Sequence, residues 1–273
     1  MEVIEVCCIG KSRQRLCEDG WIVTDGYAAV IDGSTAKGTL RLGDKSTGRL
    51  AMETVKDAIT RLPENACMEE AAVRLTQAIA AVYEATGIGE KVKLEPENRL
   101  TCSAVIWSKR RREIWMFGDC QCRVGDRTFT NPKKVDDVLA GIRSDVLRYL
   151  TSHGHSMDEL QTRDIGREMI FGALRDQCAF QNDGSNNPYR YTVLDGFRVD
   201  PQTVPVVRAE EATEIVLATD GYPVLYNTLA ETEASLREAL KNDPLCFVSH
   251  PATKGMTRGN DSFDDRTYLR LAI

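Results

Sequence analysis

Acidic residues in this sequence lie repeatedly beside short apolar runs that are typical of β-strands. Five such clusters are Glu18-Asp19, Asp32-Gly33, Gly118-Asp119, Asp220-Gly221 and Asp264-Asp265. Strands that end together would bring these distant carboxylates to one place. There they would repel one another by about 4 kcal/mol per pair at about 4 Å and an effective dielectric constant of about 20. A divalent cation would remove this repulsion, and ligation by oxygen alone favours Mg²⁺, Mn²⁺ or Ca²⁺ over Zn²⁺.

The Asp-Gly dipeptide alone is weak evidence, because it is also a common hairpin turn. Asp25-Gly26 lies between the strand-like segments WIVT and YAAVI and has the spacing of a turn, and we interpret Asp183-Gly184 and Asp195-Gly196 in the same way. Asp32-Gly33 and Asp220-Gly221 differ, since each ends an apolar run and leads into a segment that does not pair straight back. Glycine there would let its backbone carbonyl approach a cation as a ligand.

Composition limits the kind of partner. The chain has 273 residues, of which 42% are hydrophobic, and can bury a sizeable core. Its net charge of -6 argues against nucleic acid as a partner, because phosphate backbones favour a basic face. The one dense basic run, residues 109–112, lies between two strand-like segments. We interpret it as a solvated hairpin tip, with contact to a nucleic acid or a peptide as the alternative.

The N-terminal segment carries Glu2 and Glu5 and lacks a basic start followed by a long apolar core, so we expect no signal peptide. No stretch reaches the roughly 18 apolar residues of a membrane helix, so we expect no membrane partner. The nine cysteines lack the spacing of a disulfide scaffold, and Cys120 and Cys122 lack the further ligands of a zinc site. We therefore expect a cytoplasmic protein with free thiols.

The order of predicted elements indicates an α+β fold. Helical periodicity is found at 47–62, 68–85, 135–150, 157–177 and 231–241, and the strand-like runs are at 3–9, 21–31, 100–107, 113–124, 190–194, 214–221 and 267–273. Strands in hairpins and helices in consecutive pairs favour antiparallel sheets covered by helix pairs over a doubly wound parallel sheet. A four-layer α-β-β-α sandwich with two central antiparallel sheets satisfies this order.

Taken together, the five acidic motifs resemble those of the metal-dependent protein phosphatases of the 2C type. The resemblance covers the opening Glu-Asp, the Asp-Gly after the second strand pair, the Gly-Asp of the middle hairpin, the Thr-Asp-Gly at 219–221, and the closing Asp-Asp-Arg-Thr at 264–267. Five short motifs in the same order are more specific than any one of them. The resemblance implies one sandwich domain over residues 1–273.

The resemblance also implies a site with two Mn²⁺ or Mg²⁺ ions and a third, looser one. Asp32, Asp220 and Asp264 would be direct ligands and catalytic residues, with the Gly33 carbonyl beside them. Glu18 and Asp19 would hold the metals directly or through water, and Asp119 would help to bind the third ion. Such a pair of ions activates water for direct attack on a phosphomonoester, with no covalent enzyme intermediate.

A phosphomonoester substrate needs a basic partner in the protein, and the resemblance implies an arginine in this role shortly before Glu18. Arg13 and Arg15 are the candidates, although the residue four positions before Glu18 is Gln14; two exposed loop arginines are the alternative. The sequence departs from the family pattern after Gly33. Many members have His or a Gly pair there, whereas this chain has Ser34-Thr35-Ala36, so the usual proton donor for the leaving group is missing.

Three functions follow from this sequence. The leading hypothesis is a serine/threonine phosphoprotein phosphatase that requires Mn²⁺ or Mg²⁺. The departure after Gly33 motivates the second, a protein of the same fold that binds metal or a phosphorylated partner without turning it over. The third is hydrolysis of a small phosphoester. The sequence does not determine the oligomeric state.

Overall fold

The computed structural model describes residues 1–35 and 37–273 and contains two five-stranded antiparallel sheets. In spatial order, the first sheet contains β2 (Asp19–Val23), β3 (Tyr27–Gly33), β4 (Cys102–Ser108), β5 (Glu113–Phe117) and β8 (Val206–Arg208). The second sheet contains β1 (Glu2–Ile9), β10 (Arg266–Ala272), β9 (Glu214–Ala218), β6 (Gln121–Val124) and β7 (Arg127–Phe129). The helices are α1 (Thr47–Ile59), α2 (Met68–Thr86), α3 (Gly89–Leu94), α4 (Lys134–Ser152), α5 (Met157–Thr162), α6 (Ile165–Asp176) and α7 (Leu229–Asn242).

Alternation of side chains along the strands builds the layers. In β3, Ala29 and Ile31 pack with α1 and α2 on the outer face of the first sheet, whereas Val30 points between the sheets. The inner layer is apolar and includes Trp107 of β4 and Leu269 of β10. On the far side, α7 packs against the outer face of the second sheet. The expected α+β sandwich with four layers and two antiparallel sheets is confirmed.

The helices after β7 differ from the sequence prediction, which had a helix pair covering each sheet. α7 covers the second sheet, while α4 and α6 pack on each other. Leu147 of α4 packs with Leu245 and Phe247 in the segment that follows α7. Arg143 of α4 is fully buried and donates hydrogen bonds to the carbonyls of Leu245 and Ala252 at 2.8 and 2.9 Å. This helical group therefore holds the 245–252 segment in place.

Two local expectations were wrong, and two short strands were missed. Residues 190–194 form no strand: Tyr191 and Leu194 make only isolated bridges, to Gln181 and Cys102. The helix predicted at 157–177 is interrupted at Arg163. The next residue, Asp164, is the N-cap of α6, because its side chain accepts a hydrogen bond from the Arg167 backbone N–H at 2.8 Å. The short strands β7 and β8 were not predicted, since three residues carry no clear periodicity.

Residues 109–112 do form the tip of the β4–β5 hairpin, as predicted. Gly33 ends β3 where the chain meets the start of α1. A Cβ atom there would collide with the backbone of Gly48 and lie 2.7 Å from the Glu18 carbonyl oxygen, so this close approach requires glycine. In the described part of the chain, no helix has both the length and the apolar character needed to cross a bilayer.

Candidate active site

Strand ends from both sheets meet on one side of the sandwich. Asp32 lies near the end of β3, Asp119 follows β5, and Asp220 follows β9. Because β6 and β10 both pair with β9 at Ala218, the ends of these strands lie together. One carboxylate oxygen from each of Asp32, Asp119 and Asp220 lies within 4.8 Å of the others. We call these three residues the carboxylate trio.

The charges in the carboxylate trio are unequally compensated. Burial would raise the pKa of Asp119, but the Lys133 ammonium group, 2.7 Å from its Oδ2 atom, outweighs burial and lowers that pKa. Burial, and then the charges of Asp19 and Asp264, raise the pKa of Asp32 well above its usual range. The pKa of Asp220 is also raised, first because its carboxylate is withdrawn from solvent within the cleft, and then because the charges of Asp32 and Asp119 lie near it. Asp220 is more exposed than the other two, so solvent partly screens this repulsion.

A cation fits the carboxylate trio. Three carboxylate oxygens converge, and two of the groups resist ionisation in the absence of further positive charge. Hard divalent cations prefer such oxygen ligands. The arrangement is therefore suited to Mg²⁺ or Mn²⁺, with Asp32, Asp119 and Asp220 as the residues that would hold the ion.

The other predicted acids form a second acidic group, which consists of Glu18, Asp19, Asp264 and Asp265. Asp264 pairs with two lysines: Lys11 Nζ lies 3.1 Å from its Oδ1 atom, and Lys254 Nζ contacts its Oδ2 atom. Burial opposes ionisation of Asp264, but the charges of Lys254 and Lys11 lower its pKa to about 2. The structure thus places Asp264 in an ion-paired environment.

Asp265 and Glu18 have structural contacts in the same group. The two carboxylate oxygens of Asp265 accept hydrogen bonds from the backbone N–H groups of Lys11 and Glu18, each at 2.8 Å. The Glu18 carboxylate accepts hydrogen bonds from the hydroxyls of Thr35 and Ser46. These contacts connect the loop after β1 to the start of β10 and to the N-terminus of α1.

Asp19 lies opposite Asp32 in the register of β2 and β3. It is 2% exposed, and its Oδ2 atom accepts hydrogen bonds from Thr219 and Thr267 at 2.8 and 3.1 Å. Its Oδ1 atom is buried with no hydrogen-bond partner among the described residues. Burial, and then the charge of Asp264, raise the pKa of Asp19. This oxygen is the one in the second acidic group that has no donor among the described residues.

The predicted phosphate-binding arginines lie outside the cleft of the carboxylate trio. The Arg13 side chain is 89% exposed and pairs with Asp261 at 3.0 Å. Arg15 is also exposed and lines a neighbouring pocket of about 460 Å³ together with Glu18. The basic residues that line the trio's cleft in the described structure are Lys37, Lys133, Arg167 and Lys254.

These basic residues were not predicted from the sequence to lie at the site. Arg167 is on α6, Lys133 directly precedes α4, and Lys254 lies in the loop that Arg143 anchors. Each reaches the cleft through tertiary packing of the helices after β7, and a lysine or arginine in a polar segment gives no periodic signal. The acids were detectable because each follows or precedes an apolar strand.

Neither the family models nor the curated proteins compared with this chain contain a match. Similar solved structures include the serine/threonine phosphatase PstP/Ppp of Mycobacterium tuberculosis, 16% identical over 97% of this chain and 96% of that chain, with a TM-score of 0.45. Stp1, the serine/threonine phosphatase of Staphylococcus aureus, is 14% identical over 100% and 96%, with a TM-score of 0.44. The catalytic domain of PstP in complex with two manganese ions is 16% identical over 97% and 96%, with a TM-score of 0.44. At such identities and scores, the function of this chain has to be inferred from the side chains of its cleft.

Proposed function

We propose that the protein is a divalent-cation-dependent phosphomonoester hydrolase that acts on phosphoserine or phosphothreonine in proteins. The observation that carries this proposal is the convergence of Asp32, Asp119 and Asp220 in a cleft that basic side chains also line. When bound, Mn²⁺ or Mg²⁺ would supply the acidity that makes water a nucleophile near neutral pH and would shield charge on the phosphoryl oxygens. The phosphoprotein substrate follows from the resemblance of the five acidic motifs.

The chain's own residues would bind the phosphate. Arg167 is half-buried at the cleft, and one of its guanidinium N–H groups donates to the Thr253 carbonyl at 2.6 Å, which fixes the side chain. A guanidinium group held in this way can donate its other N–H groups to phosphate oxygens. Arg167 therefore takes the role that the sequence suggested for Arg13 or Arg15.

Lys37 is a candidate for protonating the leaving oxygen, in place of the side chain missing after Gly33. Its Nζ atom lies 3.3 Å from Ser34 Oγ and lines the cleft. Burial lowers the pKa of Lys37 from its usual value, which makes the ammonium group a better proton donor. The alcohol that leaves from phosphoserine or phosphothreonine is a poor leaving group unless it gains a proton.

The experiment is hydrolysis of p-nitrophenyl phosphate and of a phosphothreonine peptide by the purified chain, with EDTA, Mn²⁺ or Mg²⁺ added. We expect activity only with the cation, and activity at background for Asp32→Ala and Asp220→Ala. Asp25→Ala is the matched control, because Asp25 is an exposed residue of the Asp-Gly turn between β2 and β3. Absence of metal-dependent activity at every neutral or mildly alkaline pH would contradict the proposal. Parallel rates on small phosphoesters identify the substrate class.

A second candidate function is binding of metal or a phosphorylated partner without turnover. The pairing of Asp264 with Lys11 and Lys254 favours it, since a residue implied as a catalytic ligand is occupied by ammonium groups. Calorimetry separates the two functions. Saturable binding of Mn²⁺ together with no hydrolysis of either substrate would support the binding protein.

A further inference from the structure

We propose that the cleft holds one divalent cation, at the carboxylate trio, and that Lys11 and Lys254 neutralise Asp264 in place of a second ion. The proposal rests on the proposed function only in taking the trio as the cation site. It differs from the two-ion site that the sequence resemblance implies.

The first support is the environment of Asp264. This residue is 7% exposed, and each of its carboxylate oxygens contacts an ammonium group. The two lysine side chains are themselves mostly buried, with 17% and 27% of their surfaces exposed. Lys11 Nζ is also 3.3 Å from Thr35 Oγ1, which further fixes its position. A cation at Asp264 would have to displace a buried ammonium group and leave it without its partner, which is costly.

The second support is the set of hydrogen bonds and ion pairs made by the acidic residues near Asp264. The four carboxylates of the second acidic group have eight oxygens, and seven of them accept hydrogen bonds or ion pairs from described residues. The eighth is Asp19 Oδ1, which is buried and has no partner among those residues. An oxygen that accepts one hydrogen bond keeps a second lone pair, but all seven already share their negative charge with a donor. Only Asp19 Oδ1 is wholly free, which is few for an ion that takes six or more oxygen ligands.

The third support is the contrast with the carboxylate trio. Lys133 pairs with Asp119 on one side of the trio, while Asp32 and Asp220 carry no comparable ion pair among the described salt bridges. The three carboxylates of the trio thus have a single lysine partner, whereas two ammonium groups lie against the one carboxylate of Asp264. A single divalent cation at the trio would compensate the excess.

Lysines at Asp264 would have a different chemical effect from a second metal ion. An ammonium group neutralises charge and donates hydrogen bonds, but it does not make a water as acidic as a divalent ion does. Lys11 and Lys254 would therefore stabilise Asp264 and hold the β1 loop and the β10 start together. Activation of water would depend on the trio alone.

The experiment counts ions on the full-length protein after removal of metal with EDTA. Isothermal titration with Mn²⁺, together with native mass spectrometry, should give one ion per wild-type chain and none for Asp32→Ala. The double variant Lys11→Met/Lys254→Met frees Asp264 and should bind two. Arg61→Met is the control: it removes the basic partner of an exposed ion pair with Asp57 outside the cleft, so its count should stay at one.

Two ions on the wild-type chain would overturn this inference and leave the proposed function intact, whereas no ion would overturn both. A double variant that folds, by circular dichroism, and still binds one ion would show that the lysines do not replace a cation. If the double variant does not fold, the wild-type count and the single variant Lys254→Met decide, and the latter is expected to gain an ion.

Discussion

At the scale of single residues, the carboxylate trio explains how a cluster of acids can be tolerated in a folded protein. Asp119 is neutralised by Lys133, whereas Asp32 and Asp220 resist ionisation. A proton bound to either group would reduce the repulsion when no cation is present. Metal binding and proton binding therefore compete at the trio, and the affinity for Mn²⁺ should fall as the pH falls.

Asp220→Asn tests this competition in the metal-free protein. Since the pKa of Asp220 is raised in the folded state, its proton stabilises the fold fully below the ordinary Asp pKa of about 3.9, and this stability is lost as the pH rises through the raised value. Asparagine carries no charge, so the variant should be more stable than wild type at neutral pH. Because Asp220 is exposed, we expect a gain of only about 0.5–1 kcal/mol.

The measurement is urea unfolding in EDTA at several pH values. The gain should shrink towards acid pH, where wild-type Asp220 is protonated. Asp25→Asn in the exposed turn is the control and should show no such pH dependence. A variant less stable than wild type at neutral pH would mean that the Asp220 carboxylate makes favourable contacts that outweigh the repulsion.

The sequence predicted that acidic residues converge at the candidate site, but it did not predict the basic side chains around them. Asp32, Asp119 and Asp220 were identifiable because strand ends converge, and the structure brings their oxygens together. The pairing of Asp264 with Lys11 and Lys254 depends on the path of two loops, for which sequence periodicity gives no information. The positions of Arg13 and Arg15 likewise depend on a loop, and this loop directs Arg13 towards Asp261.

At the scale of elements, the long strands and the helices α1, α2, α4 and α7 were predictable from their periodicity to within a few residues. The break between α5 and α6 was missed, because Asp164 acts as a cap within a continuous helical pattern. The same Asp164 pairs with the buried Arg143 of α4. The break therefore serves tertiary packing, and it orients α6 so that Arg167 reaches the cleft.

Arg143→Met tests the importance of this packing. Methionine would fill part of the volume but would leave Asp164 and the carbonyls of Leu245 and Ala252 without their donor. Removal of one partner from a buried ion pair costs about 3–5 kcal/mol, so we expect a loss of this size in the free energy of unfolding. Urea unfolding followed by circular dichroism measures it.

The control is Arg61→Met, which removes an exposed ion pair on the protein surface. Arg61 and Asp57 are 63% and 64% exposed, so the expected cost is below about 0.5 kcal/mol. Comparable losses for the two variants would mean that the 245–252 segment has other anchors that compensate for Arg143.

At the scale of the whole molecule, the site connects the two sheets. Asp32 lies at the end of a strand of the first sheet and Asp119 follows another, while Asp220 follows a strand of the second sheet. A cation held by all three would therefore join both sheets in addition to the apolar layer between them. Since the unfolded chain does not bring these acids together, binding should stabilise the fold as a whole.

Mn²⁺ is accordingly expected to raise the melting temperature of the EDTA-treated protein. An ion at a hundred times its dissociation constant stabilises the folded state by about 2.7 kcal/mol, which corresponds to roughly 5–10 °C for a chain of this size. Scanning calorimetry over a series of Mn²⁺ concentrations measures the shift. Asp25→Ala should keep the full rise and Asp32→Ala should lose it, because only Asp32 belongs to the carboxylate trio. An equal rise in both variants would place the stabilising ion outside the trio, and the link between the two sheets would then need another explanation.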